Sequence, residues 1–170
     1  MDNNTETRRE FYVAMGSLAV AIGPDQVLKT FVGSCVGLCL YDRASKCGGL
    51  AHVMLPHSNG KQPTSDNDAK YADHAVRLMI KMIIEHNGHP DRLVARIAGG
   101  AKMFSAEGNQ DESLFNIGLR NIDALKSLLK DLRIPVVSQD TGSNFGRWLL
   151  FDLSSGQVNI IKRLKDGIAA

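Results

Sequence analysis

Two apolar runs a short polar loop apart constrain this chain more than anything else in it. "VGLCLYD" (36–42) and "GLAHVML" (49–55) are each the length of a strand, and "DRASKCG" (42–48) joins them. Two such runs read as a β-hairpin. Pro56 ends the second, because proline cannot donate to a strand ladder. Apolar residues are 44% of the 170, enough for a core and within the size of one domain.

The flanking chain alternates in kind. Residues 11–22 read as a strand or strand pair interrupted at Gly16, the Gly23-Pro24-Asp25 turn follows, and "QVLKTFV" (26–32) is a further strand. Residues 57–68 are a polar loop with Asp66 or Asp68 as the cap of a helix over 69–86. Ala72, Ala75, Val76, Met79, Met82 and Ile83 mark its apolar face. Asn87-Gly88 stops it. "RLVARIA" is a strand ended by Gly99-Gly100, and residues 105–113 are a loop. A second helix runs over 115–132, with Ile122, Leu125, Leu129 and Leu132 on one stripe. The tail is β: "IPVVSQD", a hairpin turn through Asn144, Gly146 and Arg147, "RWLLFDL", then "QVNIIKRL". Phe104, Phe115, Trp148 and Phe151 are core candidates. Without regular βαβ alternation this is a mixed α/β domain over 11–163, between a flexible N-terminus (1–10) and a tail (164–170).

Net charge is +2 and the pI near 8.5, with no Lys/Arg block, so nothing argues for nucleic acid. Three cysteines do not suggest a disulfide framework. No secretory signal and no run long enough for membrane insertion is seen. The expectation is a cytoplasmic protein with reduced thiols.

Cys35 and His52 then stand out. With the hairpin centred near 44–45, Cys35 lies opposite Met54. His52 is its diagonal neighbour on the same face, at roughly 7 Å between Cβ atoms. A one-residue slip would separate them. An imidazole beside a thiol can take its proton and leave a nucleophile for an acyl carbon. Gly33 and Ser34 permit a tight turn whose N–H groups could hold an oxyanion. Two other readings stay open. Both residues could be core, since free cysteine is commonly buried. Cys35, Cys39, Cys47 and His52 could hold zinc, although C-x3-C-x7-C-x4-H lacks the tight knuckles of structural sites.

"TFVGSCVGLCLYD" with "GGLAHVMLPHS" resembles the CheD family, the chemoreceptor glutamine deamidases of bacterial chemotaxis. "YADHAVRLMI", "ARIAGGAKMF", "IGLRNIDALKSLL" and "TGSNFGRWLLFDLSSGQV" extend the resemblance over about 11–163. It implies a layered α/β/β/α sandwich of mixed sheets, cysteine-hydrolase-like and similar to the deamidase domain of cytotoxic necrotizing factor toxins. It implies hydrolysis of chemoreceptor glutamines to glutamate and ammonia, with glutamate methyl ester hydrolysis in some members. Cys35 matches the nucleophile, His52 the base, and Thr30 the third catalytic residue. No cofactor or metal is implied. The implied partners are chemoreceptor cytoplasmic domains as substrate and a CheC-type phosphatase. An adaptor that binds both with little turnover is the alternative.

Overall fold

A computed structural model describes residues 8–102, 116–164 and 167–168. Its strands are β1 (Arg9–Tyr12), β2 (Leu18–Ile22), β3 (Gln26–Val32), β4 (Val36–Asp42), β5 (Cys47–Val53), β6 (Leu93–Gly99), β7 (Val136–Thr141), β8 (Gly146–Asp152), β9 (Gln157–Leu164) and β10 (Gly167–Ile168). Its helices are α1 (Ala72–Glu85) and α2 (Ile117–Asp131). The strands form two mixed five-stranded sheets, β1-β3-β8-β9-β10 and β2-β5-β4-β6-β7.

The expected hairpin is the centre of the second sheet. β4 and β5 pair antiparallel with Val36 opposite Val53 and Asp42 opposite Cys47, the register that puts Cys35 opposite Met54. Every residue of both strands is buried, because both sheet faces are covered. Val36, Leu38, Leu40, Ala51 and Val53 pack against Val76, Met79, Leu125 and Leu129 of the helices. Cys39, Tyr41 and Leu50 pack against Leu149 and Phe151 of the first sheet. Each such valine, leucine, methionine or phenylalanine contributes about 1.5–3 kcal/mol of apolar burial.

The two-sheet sandwich is the expected fold class. Both described helices cover the same sheet, so among the described residues the layers run α/β/β. α1 begins without a side-chain cap. Asp68, expected to cap it, instead accepts from Thr64 N and Lys70 N within the preceding loop. The left-handed residue closing α1 is Asn87 (φ +63°), with Gly88 N–H donating to Ile83 O at 2.8 Å. Leu132, placed on the buried stripe of α2, is half exposed, because the helix ends before it. The 105–113 loop, Phe104 and Phe115 lie outside the described residues, as do most of the two termini.

The segment after β7 is not a hairpin. β7 pairs parallel with β6 in one sheet and β8 antiparallel with β3 in the other. The turn therefore crosses between the sheets. Arg147, fully buried, braces that crossing: its Nε donates to Asp140 Oδ1 at 2.8 Å and its Nη2 to Gly142 O at 2.9 Å. At the other end of the sheet, buried Asp42 accepts from Arg92 and from His89 N, which holds its carboxyl well below the usual range. No described helix is long and apolar enough to cross a membrane.

Leu125→Ala is expected to cost about 2–5 kcal/mol in denaturant unfolding, as a cavity between α2 and the sheet. Because the folded-state pKa of Asp42 is depressed, its contribution is present above the unfolded carboxylate value of about 4 and is lost as pH falls. The acid side of the stability profile is therefore expected to be shallower in Asp42→Asn, read from denaturation midpoints against pH.

Candidate functional site

Position 52 is held by both of its backbone groups, from one side of its strand. Gly16 N–H donates to the His52 carbonyl at 3.1 Å, and His52 N–H donates to Ser17 O at 2.9 Å. Residues 13–17 are the strap by which the chain leaves β1 in one sheet and enters β2 in the other. Gly16 makes the bend at φ +72°. The side chain of His52 points between the sheets. Opposite it in register stands Gly37, where a Cβ would lie 2.4 Å from Leu149 Cδ2, so glycine leaves room for that methyl as the sheets approach.

Across that gap stands Thr30 on β3, fully buried. Its Oγ1 lies 2.8 Å from His52 Nδ1 and 2.8 Å from the Val13 carbonyl. A carbonyl can only accept, so the single hydroxyl proton goes to Val13 O. The hydroxyl oxygen then has to accept from His52, which places the imidazole proton on Nδ1. Nε2 is left with its lone pair free. It is buried and has no hydrogen-bond partner among the described residues. Burial lowers the His52 pKa to about 4, so the ring is neutral at neutral pH.

Cys35 sits one residue before β4 and is half-buried against the inter-sheet core. Gly33 and Ser34 form the bend ahead of it. Its backbone is clamped by the end of β6: Gly100 N–H donates to Cys35 O and Ala101 N–H to Gly33 O, both at 2.8 Å. Gly99 (φ +115°) comes so close that a Cβ there would stand 2.3 Å from Cys35 O. The Gly99-Gly100 pair is thus the tight turn expected after a strand, and it fixes the position of the cysteine. The N–H groups of Ser34 and Cys35 have no acceptor among the described residues. Burial pushes the Cys35 thiol up. Thiol and imidazole therefore both rest uncharged, on one face of the hairpin.

The four-ligand zinc arrangement is not assembled. Cys39 is buried between the sheets, while Cys47 is buried on the helix side of the same sheet. Among the described residues no cluster of three His, Cys, Asp or Glu could hold an ion. His57 is an exposed loop residue, and Lys102 is exposed with its N–H donated to Ser143 O. His86 Nδ1 donates to Met82 O from the end of α1, and His89 accepts from Asp91 N.

Two supports were not foreseen from the sequence. One is the Val13 carbonyl, for which no side-chain pattern gives a signal. The other is Asn121, fully buried on α2, whose Nδ2 donates at 2.9 Å to the carbonyl of Met54, the residue opposite Cys35. A polar residue beside Ile122 and four before Leu125, on the buried stripe, is the signal that could have found it.

The family model for CheD, described as CheD chemotactic sensory transduction, matches residues 54–162. A probable chemoreceptor glutamine deamidase CheD of Moorella thermoacetica is 44% identical over 152 residues, 89% of this chain and 90% of that one. A chemoreceptor glutamine deamidase CheD of Bacillus licheniformis is 42% identical over 156 residues, 92% and 91% of the two chains. One from Thermotoga maritima is 38% identical over 150 residues, 88% and 90% of the two. Among solved structures, the Bacillus licheniformis hypothetical protein YfiH matches with a TM-score of 0.43 at 14% identity, over 84% of this chain and 61% of that one. That likeness is too distant to bear on the site.

His52 is expected to stay neutral from pH 5 to 8 and to titrate near 4, with its proton on Nδ1. Imidazole nitrogen shifts in long-range proton–nitrogen spectra check both points, and a midpoint near 6.5 would contradict them. Alkylation of Cys35 by iodoacetamide is expected to rise with pH through and beyond the ordinary thiol range of about 8.5, with no plateau in acid.

Proposed function

The chain belongs to the CheD family, and on that premise we propose that it hydrolyses the side-chain amide of chemoreceptor glutamines, with Cys35 as nucleophile and His52 as base. The observation that carries the reading is the bare, buried Nε2 of His52 on the same hairpin face as the Cys35 thiol. A neutral thiol and a neutral imidazole set the order of events. The thiol proton passes to Nε2 as sulfur attacks the carboxamide carbon, so charge develops only as the carbon–sulfur bond forms. The oxyanion is held by the N–H groups of Ser34 and Cys35, in the bend that begins at Gly33.

Imidazolium Nε2 then gives its proton to the amide nitrogen. The carbon–nitrogen bond breaks, ammonia leaves, and a thioester remains on Cys35. Water replaces ammonia, its proton goes to Nε2, and hydroxide attacks the thioester. The carbon–sulfur bond breaks and the proton returns to sulfur, giving glutamate. Thr30 keeps the ring in the tautomer both halves need. A glutamate methyl ester fits the same steps with methanol as the leaving group, so ester hydrolysis needs no further residue. The charge added to the receptor by each turnover is a local electrostatic change with a distant readout. A CheC-type phosphatase is the proposed second partner, on the family likeness.

The test is ammonia release from a chemoreceptor cytoplasmic fragment, with the glutamine-to-glutamate conversion located by mass spectrometry. Cys35→Ala is expected to abolish both signals, and His52→Ala to lower kcat by roughly 10²–10⁴-fold. Thr30→Val is expected to lower kcat with KM little changed, since Thr30 orients the base and does not touch substrate. Release that survives Cys35→Ala would assign the nucleophile elsewhere. Binding of the fragment without release by the unmodified protein would favour the adaptor reading.

A further inference from the structure

Beside the hairpin end lies a groove of about 530 Å³ whose lining includes Met15, Met54, Lys61, Asp68, Lys70 and Tyr71. It joins the site through Met54, the residue opposite Cys35 in register. Its floor is rigid. Met54 N–H donates to Lys70 O at 3.0 Å and Ala69 N–H to Gly16 O at 2.9 Å, so residues 69–71 are stitched to both Gly16 and the end of β5. Its wall is apolar and adaptable: Met15 is 62% exposed, and Tyr71 is buried beneath the rim.

Two cations, Lys61 and Lys70, face a single carboxylate, Asp68, in that groove. The Lys61 and Lys70 ammonium groups converge on one ring, 5.8 and 5.6 Å from the centroid of Tyr71. Neither is paired with a carboxylate among the described residues. Asp68, the nearest acid in the loop, is committed to Thr64 N, Thr64 Oγ1, Lys70 N and the His74 ring. Two like charges drawn to one apolar-walled groove repel each other unless an anion stands between them. The Tyr71 ring attracts both ammonium groups modestly.

We infer that this groove is the specificity subsite for a carboxylate-bearing segment of the receptor next to the target glutamine, gripped by Lys61 and Lys70 over Met15 and Met54. This rests on the deamidase reading for the identity of the partner. The groove would select glutamines that have an acidic neighbour, and attraction to it would weaken with salt.

The test separates the two readings by measuring binding and turnover apart. A chemoreceptor cytoplasmic fragment is titrated onto Cys35→Ala protein, with and without Lys61→Glu and Lys70→Glu, at low and moderate salt. The double reversal is expected to weaken binding about tenfold or more at low salt and to flatten the salt dependence, with an unchanged melting temperature. Replacing the acidic neighbours of the target glutamine in the fragment should weaken binding to the parent and not to the double variant. Equal affinity of parent and double variant, or no binding to either, overturns the inference. Self-association that disappears in the double variant overturns it as well, and assigns the groove to a second copy of the chain. Ammonia release by the Cys35-containing protein is recorded on the same fragment. Its failure with binding intact tells against the deamidase reading and leaves the groove standing.

Discussion

A single hydroxyl proton organises the candidate site. Thr30 Oγ1 stands between a carbonyl that can only accept and an imidazole nitrogen that can do either. The carbonyl takes the proton, and the imidazole has to donate. That one choice fixes the tautomer of His52, frees Nε2, and ties the second sheet to the first at the point where Gly37 lets them approach. Replacing any of the three partners changes the role of the other two, because a buried network that is only partly satisfied loses more than the bond removed.

Burial is what separates Cys35 from the other two thiols. All three cysteines are pushed toward the neutral form, Cys47 to about 11 and Cys39 further still. Those two lie wholly inside cores, where nothing can reach them. Cys35 is half-buried at a strand end, with a base on the same face and a backbone fixed by Gly99 and Gly100. Its reactivity is therefore conditional. On the proposed mechanism it would need the proton acceptor and the electrophile together, and an otherwise ordinary thiol would be protected from oxidation between turnovers.

Much of this was legible in the sequence because it is local. The hairpin register followed from the length of one polar loop, and the strand ends at Val32 and Asp42 followed from the residues after them. What stayed hidden is sheet membership. Residues 11–22 showed a break at Gly16, but not that its two halves enter different sheets. The Asn144–Arg147 turn looked like a hairpin because its residues suit one, and only the pairing partners of β7 and β8 reveal a crossing. Asp68 had the right chemistry for a helix cap and found better partners in its own loop. Thr30 was singled out only by a family likeness, since nothing in its own strand distinguishes it. Backbone groups such as Val13 O carry no side-chain signature at all.

The strap at residues 13–17 has a kinetic meaning. It meets Thr30 and His52, which lie about 17 and 35 residues further along, and Cys35 meets Gly100 across a still longer loop. Each of these contacts closes a long stretch of chain, and such closures form late in folding because their entropy is lost before their contacts are gained. A partly folded molecule with its helices formed and its hairpin zipped would still lack the base, its tautomer and the fixed cysteine. The emergence of reactivity at Cys35 during refolding is thus a late event, one that reports completion of the whole double sheet.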